Sequence, residues 1–115
     1  MHELSIAVAI VDAAVEEAER QGGARVTHVH LKVGLLAGVV KSALLASYEM
    51  ASQDSAVAGS ELIIEEVPIA AFCPRCGGSR PVISPWQICC SECGTPTPDI
   101  LAGRELEVVA MEIIE

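Results

Sequence analysis

Aromatic side chains are almost missing from this sequence, with one Trp, one Tyr and one Phe among 115 residues. A core must therefore be assembled from Val, Ile, Leu and Ala, and little is available to stack on bases or sugars. Positive charge is also short: 7 Lys and Arg stand against 16 Asp and Glu, a net charge of −9. Such a surface is repelled by the phosphates of nucleic acid and by anionic membranes, which leaves proteins or cations as partners. No stretch approaches the roughly 18 apolar residues needed to cross a bilayer. Met1-His2-Glu3 lacks the basic region that opens a secretory signal, so a cytoplasmic chain is expected. In that reducing setting, metal binding outranks disulfides as the reason for five cysteines.

What remains is rich in aliphatics. A hydrophobic share of 51% with 20% charged residues belongs to a folded chain, and 115 residues suit one compact domain. Residues 4–21 read as a helix, because Leu4, Val8, Val11, Val15 and Ala18 recur at helical spacing before Gly22-Gly23 stops the run. Residues 26–33 alternate, with Thr27, Val29, Leu31 and Val33 on one face and His28, His30 and Lys32 on the other, as in a half-buried strand. A second helix is expected over 40–53, presenting Val40, Leu44, Tyr48 and Ala51 on one side. Strands follow at 61–67 and 105–114, the latter with its alternation blurred at Val108-Val109-Ala110. The expectation is an α+β fold: a small mixed three-stranded sheet packed with two helices, plus an inserted zinc-ribbon-like lobe. Residues 1–68 and 104–115 form the αβ frame on this reading, and residues 69–103 form the insert.

All the cysteines and five of the six prolines fall within residues 72–98. Cys73-Pro-Arg-Cys76-Gly and Cys90-Ser-Glu-Cys93-Gly are matching units. Two intervening residues let both sulfurs of a unit reach one ion, and the Gly that follows permits a tight turn. The spacing points to structural Zn(II) held by Cys73, Cys76, Cys90 and Cys93. Four thiolates leave no open position, which argues against catalytic zinc and, with no nucleophile–base pair visible, against an enzyme. A redox dithiol or free core cysteines are the competing explanations. A thioredoxin-like reading wants a single Cys-x-x-Cys in a βαβ unit, which this region does not offer. Cys89 lies outside the register and reads as an ordinary thiol.

Met1-His2-Glu3-Leu4-Ser5 is the second feature. His at position two is not the small residue that permits removal of Met1. The α-amine, the deprotonated His2 amide and the His2 imidazole then form fused chelate rings of a kind that suits Ni²⁺ or Cu²⁺. Glu3 offers a carboxylate or its own amide nitrogen. The same residues read equally as a solvated His and a first-turn helix acid. His28 and His30, two apart on one strand face, are placed to pair on a metal or simply to face solvent.

Taken together, the initial Met1-His2-Glu3-Leu4-Ser5, the strand ending Val33-Gly34, the paired Cys-x-x-Cys units and the closing Met111-Glu112-Ile113-Ile114-Glu115 resemble the HypA/HybF family of hydrogenase nickel incorporation proteins over essentially the whole chain. The resemblance implies a nickel metallochaperone rather than an enzyme. It implies transported Ni(II) at Met1, His2 and Glu3 of the αβ domain, with a separate zinc lobe. It also implies a HypB-type GTPase partner, delivery to the large subunit of [NiFe] hydrogenase, and in some members service to urease. Some relatives carry an acidic residue near the start of the second helix, where this chain reads Val39-Val40-Lys41. Some also place His beside the zinc cysteines, where this chain has Gly77 and Gly94, so a local ligand swap with pH is not expected. The alternative function is a zinc-ribbon protein-interaction adaptor that transfers no nickel. A nucleic-acid-binding ribbon ranks lower, because Arg75 and Arg80 are offset by Glu92 and Asp99.

Overall fold

A computed structural model describes residues 2–114. Helix α1 (Glu3–Arg20) starts from His2 in an extended conformation, with Glu3 in the first turn and Arg20 in the last, both matched to the helix dipole. It ends on two glycines because the chain must turn left-handed there. Gly22 has φ 74°, its N–H bonds to the Glu19 carbonyl at 3.1 Å, and the Gly23 N–H bonds to the Ala18 carbonyl at 2.9 Å. Those two bonds satisfy carbonyls the helix would otherwise leave open. Strand β1 (Arg25–Gly34) follows, then helix α2 (Lys41–Ser52) and strand β2 (Glu61–Val67).

The buried faces differ from expectation at several positions. In α1 the buried side chains are Ala7, Ile10, Val11, Ala14 and Ala18, whereas Leu4 and Val8 are about half exposed. The larger residues had marked the stripe; the observed stripe is turned toward alanines, whose small side chains let α1 approach α2, against which it packs. In α2 the buried face is Leu44, Tyr48 and Ser52; Val40 is exposed at the cap and Ala51 half-buried. The Tyr48 hydroxyl finds a partner in Ser60 Oγ at 2.6 Å, which makes burial of its ring tolerable.

Two sheets are present among the described residues. The first is the expected three-stranded one, in the order β2-β1-β7, with β7 spanning Leu106–Ile114. Central β1 buries Val29, Leu31 and Val33 as the alternation predicts, and Val26 as well. The second sheet was not legible as strands: β3 (Ala70–Cys73), β4 (Gly78–Ser84), β5 (Gln87–Cys90) and β6 (Ile100–Ala102) form an antiparallel set in the order β5-β4-β3-β6. These strands are short and carry a proline, Pro81, which cannot donate to a ladder; its carbonyl accepts from the Ser91 N–H instead.

Cα proximity divides the chain into two compact units: residues 1–31, 39–65 and 107–115, and residues 32–38 and 66–106. Within the second, Gly34 meets Gly103 so closely that a Cβ on Gly34 would lie 2.1 Å from the Gly103 carbonyl carbon. Gly103 itself has φ 116°, and the Leu36 N–H bonds to its carbonyl at 2.7 Å. Both positions therefore require glycine, one for space and one for backbone angle. No helix among the described residues is long and apolar enough to cross a membrane.

Candidate metal centres

The four-stranded sheet brings the two Cys-x-x-Cys units together. Strand β3 ends on Cys73 and β5 ends on Cys90, so each strand carries its first cysteine to the start of a turn. The turns are alike. The Gly77 N–H returns to the Cys73 carbonyl at 2.7 Å and the Gly94 N–H to the Cys90 carbonyl at 2.9 Å, with φ of 75° and 76° at the two glycines. The Cys76 N–H points at Cys73 Sγ, 3.4 Å away, as a donor to a thiolate should.

The Sγ atoms of Cys73, Cys76, Cys90 and Cys93 all lie within 4.8 Å of one another. Individual separations are 3.5 Å for Cys73–Cys93, 3.9 Å for Cys76–Cys90 and 3.8 Å for Cys76–Cys93. A tetrahedron with Zn–S bonds near 2.3 Å has S···S edges of about 3.8 Å. The sulfurs are thus set at the spacing of a ZnS₄ polyhedron and far beyond the roughly 2.05 Å of a disulfide. All five cysteines are free thiols, and Cys89 stands aside, half-buried and bridged to Pro96.

Electrostatics favour a cation here. Thr95 hydrogen bonds pull the Cys93 thiol down to about 6, whereas bonding with Cys73 and Cys93 pushes Cys76 up to about 12. Four convergent sulfurs release their first proton easily and their later ones with difficulty, because each thiolate repels the next; a divalent ion removes that penalty. Arg80 supplies part of the compensation. Its Nε lies 2.9 Å from Glu92 Oε2, and its own proton is held more tightly beside Glu92 and Cys76. Thr95 and the Arg80–Glu92 pair are neighbours of the sulfurs that spacing rules do not find; Glu92 and Thr95 lie within two residues of Cys93, which is the only signal the sequence offers for them, and Arg80 carries none.

At the other candidate centre, His2 is exposed and forms no side-chain cap bond. Met1 lies outside the described residues. The Glu3 carboxylate is engaged: its Oε2 accepts from the Val40 N–H at 3.1 Å, and that bond holds the carboxyl below its ordinary value of 4.5. Val40 caps α2 without a side-chain oxygen of its own, so an acid from α1 serves that helix start. His2 and Glu3 open α1, where the first N–H groups have no partner within the helix.

His28 and His30 do lie on the half-exposed side of β1, and each meets carboxylates. The His30 Nε2–H donates to Glu112 Oε2 at 2.8 Å, a bond that depresses the Glu112 carboxyl. His28 lies 3.5 Å from both Glu61 and Glu112. Sequence spacing predicted the shared face but not the carboxylates, which arrive from neighbouring strands.

Comparison with known proteins places this architecture among relatives. The family described as hydrogenase/urease nickel incorporation, metallochaperone, hypA matches residues 1–113. The hydrogenase maturation factor HypA of Chloroflexus aurantiacus is 47% identical over 112 residues, covering 97% of this chain and 98% of the relative. Among solved structures, the solution structure of HypA protein superposes with a TM-score of 0.73 at 20% identity, covering 99% of this chain and 97% of that one. That of the Ni metallochaperone HypA from Helicobacter pylori gives 0.64 at 22% identity, covering 99% and 98%. At such identities the superpositions speak to fold alone.

Proposed function

Given that the chain belongs to the HypA family of hydrogenase/urease nickel-incorporation metallochaperones, we propose that it binds Ni²⁺ at its amino terminus and hands the ion over during maturation of [NiFe] hydrogenase. The observation that carries this reading beyond family membership is the state of the residues opening α1. His2 is exposed, and the amides there have no helical partner, so they are free to deprotonate and bind. The ligand set is the Met1 amine, the His2 amide and imidazole, and Glu3. Because the Glu3 carboxylate already serves Val40, its contribution is its amide nitrogen unless the carboxylate leaves α2.

Nickel is cargo, and the exchange needs no covalent chemistry. A terminal chelate is exposed to an acceptor, and its amides rebind protons when the ion leaves, so acid or an incoming ligand favours release. Cu²⁺ outranks Ni²⁺ on intrinsic affinity, and selectivity therefore rests on geometry, availability and docking. The cysteine centre has a separate role as a structural Zn²⁺ site that folds residues 66–106. The setting is the cytoplasm; the partners are a HypB-type GTPase and the hydrogenase large subunit, with urease as a further acceptor.

The test is a nickel titration of tag-free, zinc-loaded protein, wild type beside His2→Ala, followed by absorption. Wild type is expected to take up one equivalent in square-planar form, and the variant to lose that equivalent while keeping zinc and fold. Retention of the square-planar ion in the variant overturns the ligand assignment. Absence of nickel binding at the terminus of both proteins leaves the adaptor reading in its place.

A further inference from the structure

One side of strand β7 has no neighbouring strand. In the order β2-β1-β7 it pairs with β1 alone. Among the described residues, then, alternate backbone N–H and C=O groups along Leu106–Ile114 face away from the sheet with no strand to meet them.

Alternation settles what each face of this strand shows. Glu112 meets His28 and His30 on one face. Val109, Met111 and Ile113 are out of step with it by one residue and project to the other face, toward α1. There they form one wall of a groove of about 430 Å³, and the second wall is a row of α1, Ala13, Glu17 and Gln21, spaced by four. A sheet side chain beneath a helix is ordinarily buried, yet Val109 is 48% exposed. The helix leaves this apolar strip uncovered on the strand whose edge is open.

The charge around the groove is mostly of one sign. Residues 12–20 hold Asp12, Glu16, Glu17 and Glu19 against Arg20, and β7 adds Glu107 and Glu112, which makes six acids to one base. Arg20 lies 3.0 Å from Glu17, so its charge is already answered.

We propose that the open edge of β7 and the groove beside it dock an extended, basic segment of a partner protein, added to the sheet as a fourth strand. Backbone bonds to the edge supply affinity with little regard to sequence, and alternate side chains supply selection. Apolar residues at every second position fill the groove against Val109 and Met111. Lys or Arg at the positions between fall on the face that carries Glu112, and the acidic neighbourhood as a whole draws such a segment in. Six or seven residues suffice, since at about 3.3 Å per residue they run along about 20 Å of edge. A helix or a rigid loop laid in the same groove would leave the edge N–H and C=O groups unmet.

The proposal does not rest on the nickel assignment, and its test uses no nickel. A capped seven-residue peptide of alternating lysine and valine is added to full-length, zinc-loaded protein while the amide spectrum is recorded. Shifts are expected along residues 106–114 and 13–21, and every second amide of β7 should exchange more slowly with solvent once the peptide is bound. A peptide of the same composition with its lysines grouped together should bind at least about tenfold more weakly, and one with glutamate in place of lysine should not bind. Val109→Lys, and separately Ala13→Arg from the opposite wall, should each weaken binding about tenfold in protein whose spectrum shows an intact fold. Raising NaCl to about 0.5 M should weaken it as well. Shifts centred elsewhere, or equal binding of the alternating and grouped peptides, overturn the proposal. So does binding without protection of alternate β7 amides, which would be charge attraction without strand addition. A free protein that sediments as a dimer and becomes a monomer with Val109→Lys overturns it too, because the occupant would then be a second copy.

Discussion

The two compact units hold themselves together in different ways. In the first, Val26, Val29, Leu31, Leu44 and Val57 are completely buried, and burial of aliphatic surface is enough to order two helices against each other. In the second, the most completely buried large side chains are Cys73, Cys90 and Thr97, of which two are candidate metal ligands and one is polar. Thr97 is satisfied only because its hydroxyl and its N–H both bond to the Ile88 carbonyl, each at 3.1 Å. Four short strands with so small an apolar interior are below what a hydrophobic core alone can stabilise. The contrast is between a core closed by aliphatic burial and one whose interior is four convergent sulfurs, and on the proposed zinc role the two should fail under different insults.

The largest expected effect tests that directly. Cys73→Ala, or a strong chelator on the wild type, should unfold residues 66–106, because the binding energy of a structural zinc site, about 10–16 kcal/mol in comparable modules, is folding energy. Proteolysis should then cut within that segment while helical circular dichroism persists. Preserved zinc content and unchanged protease resistance in the variant would contradict it. A smaller effect runs the other way. Leu44→Ala opens a cavity in the first unit and is expected to cost about 2–5 kcal/mol in urea unfolding. Zinc content should stay at one equivalent per chain; metal lost together with the helices would mean that the two cores are not separate.

The smallest effect sharpens the comparison by pH. The Glu3 carboxyl is held below 4.5 by the Val40 N–H, so the folded state prefers it ionised. Its contribution is complete above about pH 4.5 and is lost as pH falls through the depressed value; acid therefore weakens the tie. The Val40 amide shift should follow that titration. A Val40 shift that stays flat through acid, in protein still folded, would show that the carboxylate is not its acceptor.

The legibility of the sequence followed the same divide. Periodicity found α1, β1, α2, β2 and β7, since each carries enough aliphatic residues to express its spacing. It erred on which face of α1 is buried, because a stripe of alanines leaves a weak signal beside exposed Leu4 and Val8. Strands β3 to β6 were invisible, being three to seven residues long with Pro81 inside one of them. Yet the cysteine spacing in that same region announced the convergence of four sulfurs, for metal ligands mark their geometry by separation along the chain. The Glu3–Val40 bond and the meeting of His28, His30, Glu61 and Glu112 depend on elements far apart in sequence, and no local pattern carries them.

Strand β7 lies at an edge of its sheet, and Val108, Val109 and Ile114 on it are exposed. An edge of that kind is a template on which a second copy can add a strand, and repetition of the step leads to aggregates. Here the apolar run is broken by Glu107 and Glu112, within a chain whose net charge is −9. Copies that approach edge to edge meet like charge before their backbones can pair. The excess of carboxylates over lysine and arginine thus opposes such pairing, and that opposition should weaken wherever salt screens the carboxylates or acid neutralises them.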